Sequence, residues 1–101
     1  ALNEKTDALI ALNSLISDNS IFSNDCYLLR ADIFYDYGQW NLAKNDYSMY
    51  LDFYPKQADV YYKTGMCWLN LRMTEKACYN LKKAVQLRYV KAQRKYYDNC
   101  E

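Results

Sequence analysis

The sequence has no histidine, one proline and two glycines in 101 residues, and each shortage closes off a class of reading. Without histidine there is no side chain whose ordinary titration falls near neutrality, and the usual nitrogen ligand for zinc is missing. The four cysteines, Cys26, Cys67, Cys78 and Cys100, stand 41, 11 and 22 positions apart, which excludes a Cys-x-x-Cys ribbon or redox pair. No nucleophile stands beside a base, so the reading is not an enzyme, with no metal and no cofactor. So little glycine and proline leaves few turns, whereas a sheet would need many, and the composition favours helices. No apolar run approaches the roughly 18 residues of a membrane span, and no segment reads as a secretory signal. The chain starts at Ala1 rather than Met, which reads as a processed or trimmed product.

What is present is 51% hydrophobic residues with a net charge of +1, which describes a globular chain and gives no case for nucleic acid or a membrane surface. The charge is unevenly spread. Residues 1–60 hold four Lys/Arg against nine Asp/Glu, and residues 61–101 hold nine against three. There are also twelve tyrosines. Tyrosine buries its ring and keeps its hydroxyl wet in an ordinary core, so Tyr27, Tyr47, Tyr50, Tyr61 and Tyr96 are assigned to packing, and Tyr35 and Tyr62 to a surface.

Compared with itself at an offset of 34, the sequence places Tyr27 on Tyr61, Leu28 on Tyr62, Ala31 on Gly65, Phe34 on Trp68, Ala43 on Ala77 and Tyr47 on Leu81. Within each unit the apolar positions keep helical spacing, Tyr27, Ala31 and Phe34 on a first helix and Ala43, Tyr47 and Tyr50 on a second. Gly38 marks a turn where a left-handed residue can end the first helix, and Pro55 stops the second. Six helices are predicted, over 3–17, 24–37, 40–53, 58–71, 74–87 and 90–99.

This pattern of bulky, small and aromatic residues resembles the tetratricopeptide repeat. Residues 24–57 supply Tyr27, Ala31, Phe34, Ala43, Tyr47 and Pro55, and residues 58–91 supply Tyr61, Gly65, Trp68, Ala77, Leu81 and Ala84. The departures are Tyr50 for a small residue, Tyr89 for the proline, Arg72 where Gly38 sits one repeat earlier, and Arg30 and Thr64 where leucine is usual. The resemblance implies an all-α fold, a right-handed α-solenoid of antiparallel helix pairs, with about six helices in one domain. Its parts would be an N-terminal helix in 1–23, repeats at 24–57 and 58–91, and a capping helix in 90–101. It also implies that Gly65 faces Ala77 and Ala31 faces Ala43 where paired helices cross, that Trp68 lies in the core, and that the stack curves to leave a concave face.

The flanks suit such a stack. Ala8, Leu12 and Leu15 give the N-terminal segment one apolar stripe, and Tyr89, Ala92, Tyr96 and Cys100 give the C-terminal segment another, with Lys91, Arg94, Lys95 and Asp98 in water. Carried over from the resembled family, the groove residues are Asp25, Leu28, Asp32, Tyr35 and Asp36 from the first repeat, and Asp59, Tyr62, Met66, Leu69 and Asn70 from the second. Asp25, Asp32, Asp36 and Asp59 read as solvated carboxylates. The expected function is a non-catalytic interaction scaffold whose partner is a protein or peptide with apolar anchors and Lys/Arg. In so short a stack a terminal helix covering Tyr62, Met66 and Leu69 is the alternative. Some members of the family clamp a C-terminal carboxylate with Lys and Asn where this chain has Leu28 and Asp32, so a chaperone-tail clamp is not expected. A different class of function is an assembly subunit, its acidic half joining the basic half of another copy head to tail.

The resemblance implies that Cys78 lies on the face of its helix that meets the next one. The turn near Arg88 falls ten residues after Cys78 and twelve before Cys100, so antiparallel packing brings the two to similar heights, where a disulfide can close. Cys26 and Cys67 are expected to stay reduced. Four reduced thiols is the alternative. A bond would argue for a periplasmic or secreted home, and its absence for the cytoplasm.

Overall fold

A computed structural model describes residues 2–18 and 23–100. The ends of the expected N-terminal unit, 1 and 19–22, and the last residue of the capping unit, 101, lie outside it. Six helices follow one another: α1 Leu2–Ser17, α2 Ser23–Asp36, α3 Trp40–Phe53, α4 Ala58–Asn70, α5 Thr74–Gln86 and α6 Val90–Cys100. Among the described residues there is no strand. Each helix packs mainly against the next in sequence, giving a stack of 42 × 26 × 20 Å, as in an all-α helical repeat.

Three of the turns share one geometry. Gly38, Arg72 and Arg88 have φ of 72°, 61° and 67°. In each, the next residue donates its N–H five residues back, from Gln39 to the Phe34 carbonyl at 2.8 Å, Met73 to Trp68 at 2.9 Å and Tyr89 to Ala84 at 3.0 Å. That closure satisfies carbonyls the helix leaves open, and it requires a left-handed residue that glycine adopts without strain. Arginine does not, since its Cβ crowds the following carbonyl oxygen. Arg72→Gly is therefore expected to stabilise the domain by up to ~1 kcal/mol. A thermal melt checks this, and a lowered midpoint would show that the Arg72 side chain contributes more than its backbone loses. The α3–α4 connection is built differently. Pro55 has no N–H to continue the helix and holds Tyr54 outside helical geometry, at φ −130° and ψ 75°.

The helix pairs meet through small residues. Ala31, Ala43 and Ala77 are fully buried. A Cβ built on Gly65 would stand 2.8 Å from Leu81 Cγ and 3.3 Å from the Ala77 carbonyl oxygen, so Gly65 meets Leu81 as closely as it meets Ala77. Tyr47, Leu81, Thr64 and Cys67 are enclosed, and burial pushes the Cys67 thiol up to about 12. Cys67 and Cys26 are free thiols. Cys78 and Cys100 are joined by a disulfide with a Cα separation of 5.7 Å.

Two departures from the resembled pattern have polar solutions. Arg30 stands where leucine is usual, and its Nε and Nη2 donate to both Asp46 oxygens at 2.7 Å while Nη1 donates to Asn13 Oδ1 at 2.8 Å. Asp46 is only 5% exposed, and its hydrogen bonds hold the guanidinium above its usual range. A two-pronged pair of this kind is what allows a carboxylate to be buried at all. Thr64 answers its own hydroxyl by donating to the Val60 carbonyl at 2.8 Å.

Two expectations about burial are corrected. Leu15 is 39% exposed, and α1 turns Leu12 inward with Ala8 and Ile16 half-buried at intervals of four. The Asn13 contact with Arg30 fixes which side of α1 faces α2. Trp68 is half-buried instead of enclosed, with the ammonium groups of Lys44 and Lys76 at 4.6 and 4.7 Å from its ring centre.

Candidate functional site

The groove residues proposed from the sequence fall on α2 and α4. In the middle, Asp32 of α2 is half-buried and accepts from the Tyr47 hydroxyl at 2.6 Å and from Lys63 Nζ at 3.2 Å. Both donors share one oxygen, Oδ1, so this carboxylate is partnered, unlike the solvated acid expected of it. Burial and the bond to Asp32 together raise the Tyr47 hydroxyl far above its ordinary value. Tyr35, one helical turn on, lies edge-on to Trp40 at 5.3 Å and to Tyr47 at 6.2 Å, with Lys63 Nζ 5.8 Å from its ring centre. Leu28 and Tyr35 both pack against the buried core.

Tyr62, Met66 and Leu69 follow at helical spacing along α4, and all three remain half-buried. Tyr62 is covered on one side by Tyr89, ring centres 5.4 Å apart. The Tyr35 hydroxyl is raised chiefly by burial and further by Cys67, Tyr62, Asp36 and Tyr89. Asn70 donates to the Met66 carbonyl at 2.8 Å, which leaves its amide oxygen outward.

The remaining acids sit at opposite ends. Asp36 accepts from Lys5 of α1 at 3.3 Å, a pair exposed enough to contribute little. Asp25 and Asp59, each in the first turn of its helix, are exposed. Burial raises the Tyr50 hydroxyl, and the charges of Asp25, Tyr54 and Asp59 add to that.

Sequence reasoning missed Lys63, Tyr89 and Asp46. Lys63 reaches an acid 31 residues away, and Tyr89 occupies the place of a repeat proline, where no aromatic is anticipated. The only local sign of Asp46 was that Arg30 replaced a leucine and so needed an acid.

The α2–α4 face presents aromatic and aliphatic surface between paired charges in its middle and two open carboxylates at one end. No helix among the described residues is long and apolar enough to cross a membrane. Among curated proteins none matches the chain. Residues 59–88, which take in nearly all of α4, the Arg72 turn and α5, match the family model of the tetratricopeptide repeat, a helical unit that generally mediates protein–protein interaction and is typically non-catalytic.

Proposed function

We propose that the chain is a non-catalytic interaction module that takes a peptide or protein segment across the α2–α4 face. The observation that carries this reading is the half-buried row of Tyr62, Met66 and Leu69 on α4, with the exposed carboxylates of Asp25 and Asp59 in the first turns of α2 and α4. Apolar anchors seat in such a row, and Lys or Arg at one end of the segment meets the two acids. Asp32 already holds Lys63, and Asp36 stands at the opposite end beside Lys5, so the basic end of the ligand is directed to Asp25 and Asp59.

Selection of a displayed peptide library on the protein tests this. Enriched sequences are expected to pair Lys or Arg with Leu, Met or aromatic residues. Asp59→Asn, at an exposed position, and Tyr62→Ala should each weaken the selected peptide by about tenfold, roughly 1.4 kcal/mol. Tyr62→Ala also loses the ring contact with Tyr89, worth ~1 kcal/mol of stability, so its melt is recorded alongside. Enrichment of acidic sequences, or binding indifferent to both substitutions, overturns the assignment.

A further inference from the structure

The outward face of α5 is chemically the opposite of the α2–α4 face. Lys76, Tyr79 and Lys83 recur at intervals of three and four, and Lys82 lies beside them around a shallow depression with Tyr79 and Lys83. Tyr79 is 62% exposed, with Lys83 Nζ 5.7 Å from its ring centre. At the start of the helix the stripe widens onto Trp68, where Lys76 from α5 and Lys44 from α3 both place an ammonium group within 4.7 Å of the indole centre. Glu75 is the one acid on α5. Among the described residues none of these four lysines is within ion-pair reach of a carboxylate.

Aromatic rings are the usual second choice of an ammonium group, and three lysines placed on two rings, with Lys82 beside them and no ion pair among the four, form a surface with an unmet preference for anions. We infer that the α5 face, with Lys44 and Trp68, is a second interaction surface whose occupant is a short acidic segment of a partner protein, carboxylates on the lysines and an aromatic side chain against Tyr79 and Trp68. It is independent of the α2–α4 reading, lies on different residues and selects the opposite charge.

The reach of the stripe argues for a peptide over nucleic acid. Thirteen residues of helix extend about 20 Å, enough for a few carboxylates. Beyond it the surface changes sign. Residues 1–60 hold nine Asp/Glu against four Lys/Arg, the exposed Asp52 of α3 among them. A long polyanion would run onto that acidic first half of the chain, whereas a short segment stays on the lysines.

The test is fluorescence anisotropy on the intact chain with a fluorescein-labelled peptide of repeated Glu-Glu-Phe. A Lys-Lys-Phe peptide and an oligothymidylate of matched charge serve as controls. Binding of the acidic peptide is expected, weakening as salt rises from about 50 to about 500 mM. The double substitution Lys76→Glu, Lys83→Glu should reduce it by about tenfold or more, with the melting midpoint held because neither side chain is enclosed. Asp25→Asn with Asp59→Asn should leave it unchanged, which separates this surface from the α2–α4 face. Failure to bind, or binding indifferent to the lysine reversal, overturns the proposal. Tighter binding of the oligothymidylate overturns the choice of a peptide. A salt-sensitive dimer in sedimentation, abolished by the same double substitution, overturns it in favour of a second copy of this chain.

Discussion

Gly65→Ala is expected to lower the stability of the domain by ~1–3 kcal/mol, and Gly65→Leu to leave it largely unfolded. The sign is the informative part. In an isolated α4 peptide the same alanine would strengthen the helix by about 1 kcal/mol, because glycine is the costlier residue in a helix interior. In the folded chain the added methyl meets Leu81 Cγ at 2.8 Å and Cδ2 at 2.9 Å, closer than carbon atoms approach without something moving. Leu81 is fully buried and the Ala77 carbonyl lies 3.3 Å away on the same helix, so neither can retreat without shifting α5. Thermal melts of Gly65→Ala, Leu81→Ala and the double variant form a cycle. Strong coupling, with the alanine at 65 tolerated once Leu81 is shortened, is the expected result. Additive losses, or an unchanged midpoint in Gly65→Ala, would show that this crossing does not set the distance between α4 and α5.

The same contact explains how much of the fold was legible in the sequence. The helices, their turns and the small residues at their crossings announce themselves by period and by repetition at 34 residues, and the observed helix ends fall within a residue of the expected ones. Apolar packing is written this way because one face of a helix must stay apolar along its length. Polar partnerships leave no such trace. Arg30 with Asp46 and Lys63 with Asp32 join residues 16 and 31 apart, on helices whose mutual rotation no local spacing reveals. The candidate site was legible as a set of positions on two helices. It was not legible as charge, because Lys63 and Lys5 had yet to be placed against Asp32 and Asp36. Leu15 was misjudged for a related reason: on a terminal helix with one neighbour, a polar contact through Asn13 selects between two overlapping apolar stripes.

Cys78→Ser with Cys100→Ser, or reduction of the wild-type chain, is expected to lower stability by up to ~3 kcal/mol, the chain-entropy value for a loop of 22 residues. For a domain of this size that corresponds to a fall in melting midpoint of more than about 10 °C if unfolding stays all-or-none. The structure of α6 indicates where the loss is felt. Ala92 is its one fully enclosed residue, the Arg94–Asp98 pair is in water at 3.8 Å, and Tyr89 holds only the entrance of the helix, against Tyr62. Between that aromatic contact and the disulfide at Cys100, Ala92 is the one anchor that α6 buries. Removing the far tether therefore opens α6 before the rest of the stack, and amide exchange over residues 90–100 should accelerate while α3 and α4 keep their protection. Where α6 separates first, the loss in the global transition is limited to the docking energy of that helix and falls below the entropic value. Exchange and melting together distinguish the two regimes. Equal exchange of α6 with and without the bond, together with an unchanged midpoint, would show that α6 is held by its packing against α5 alone.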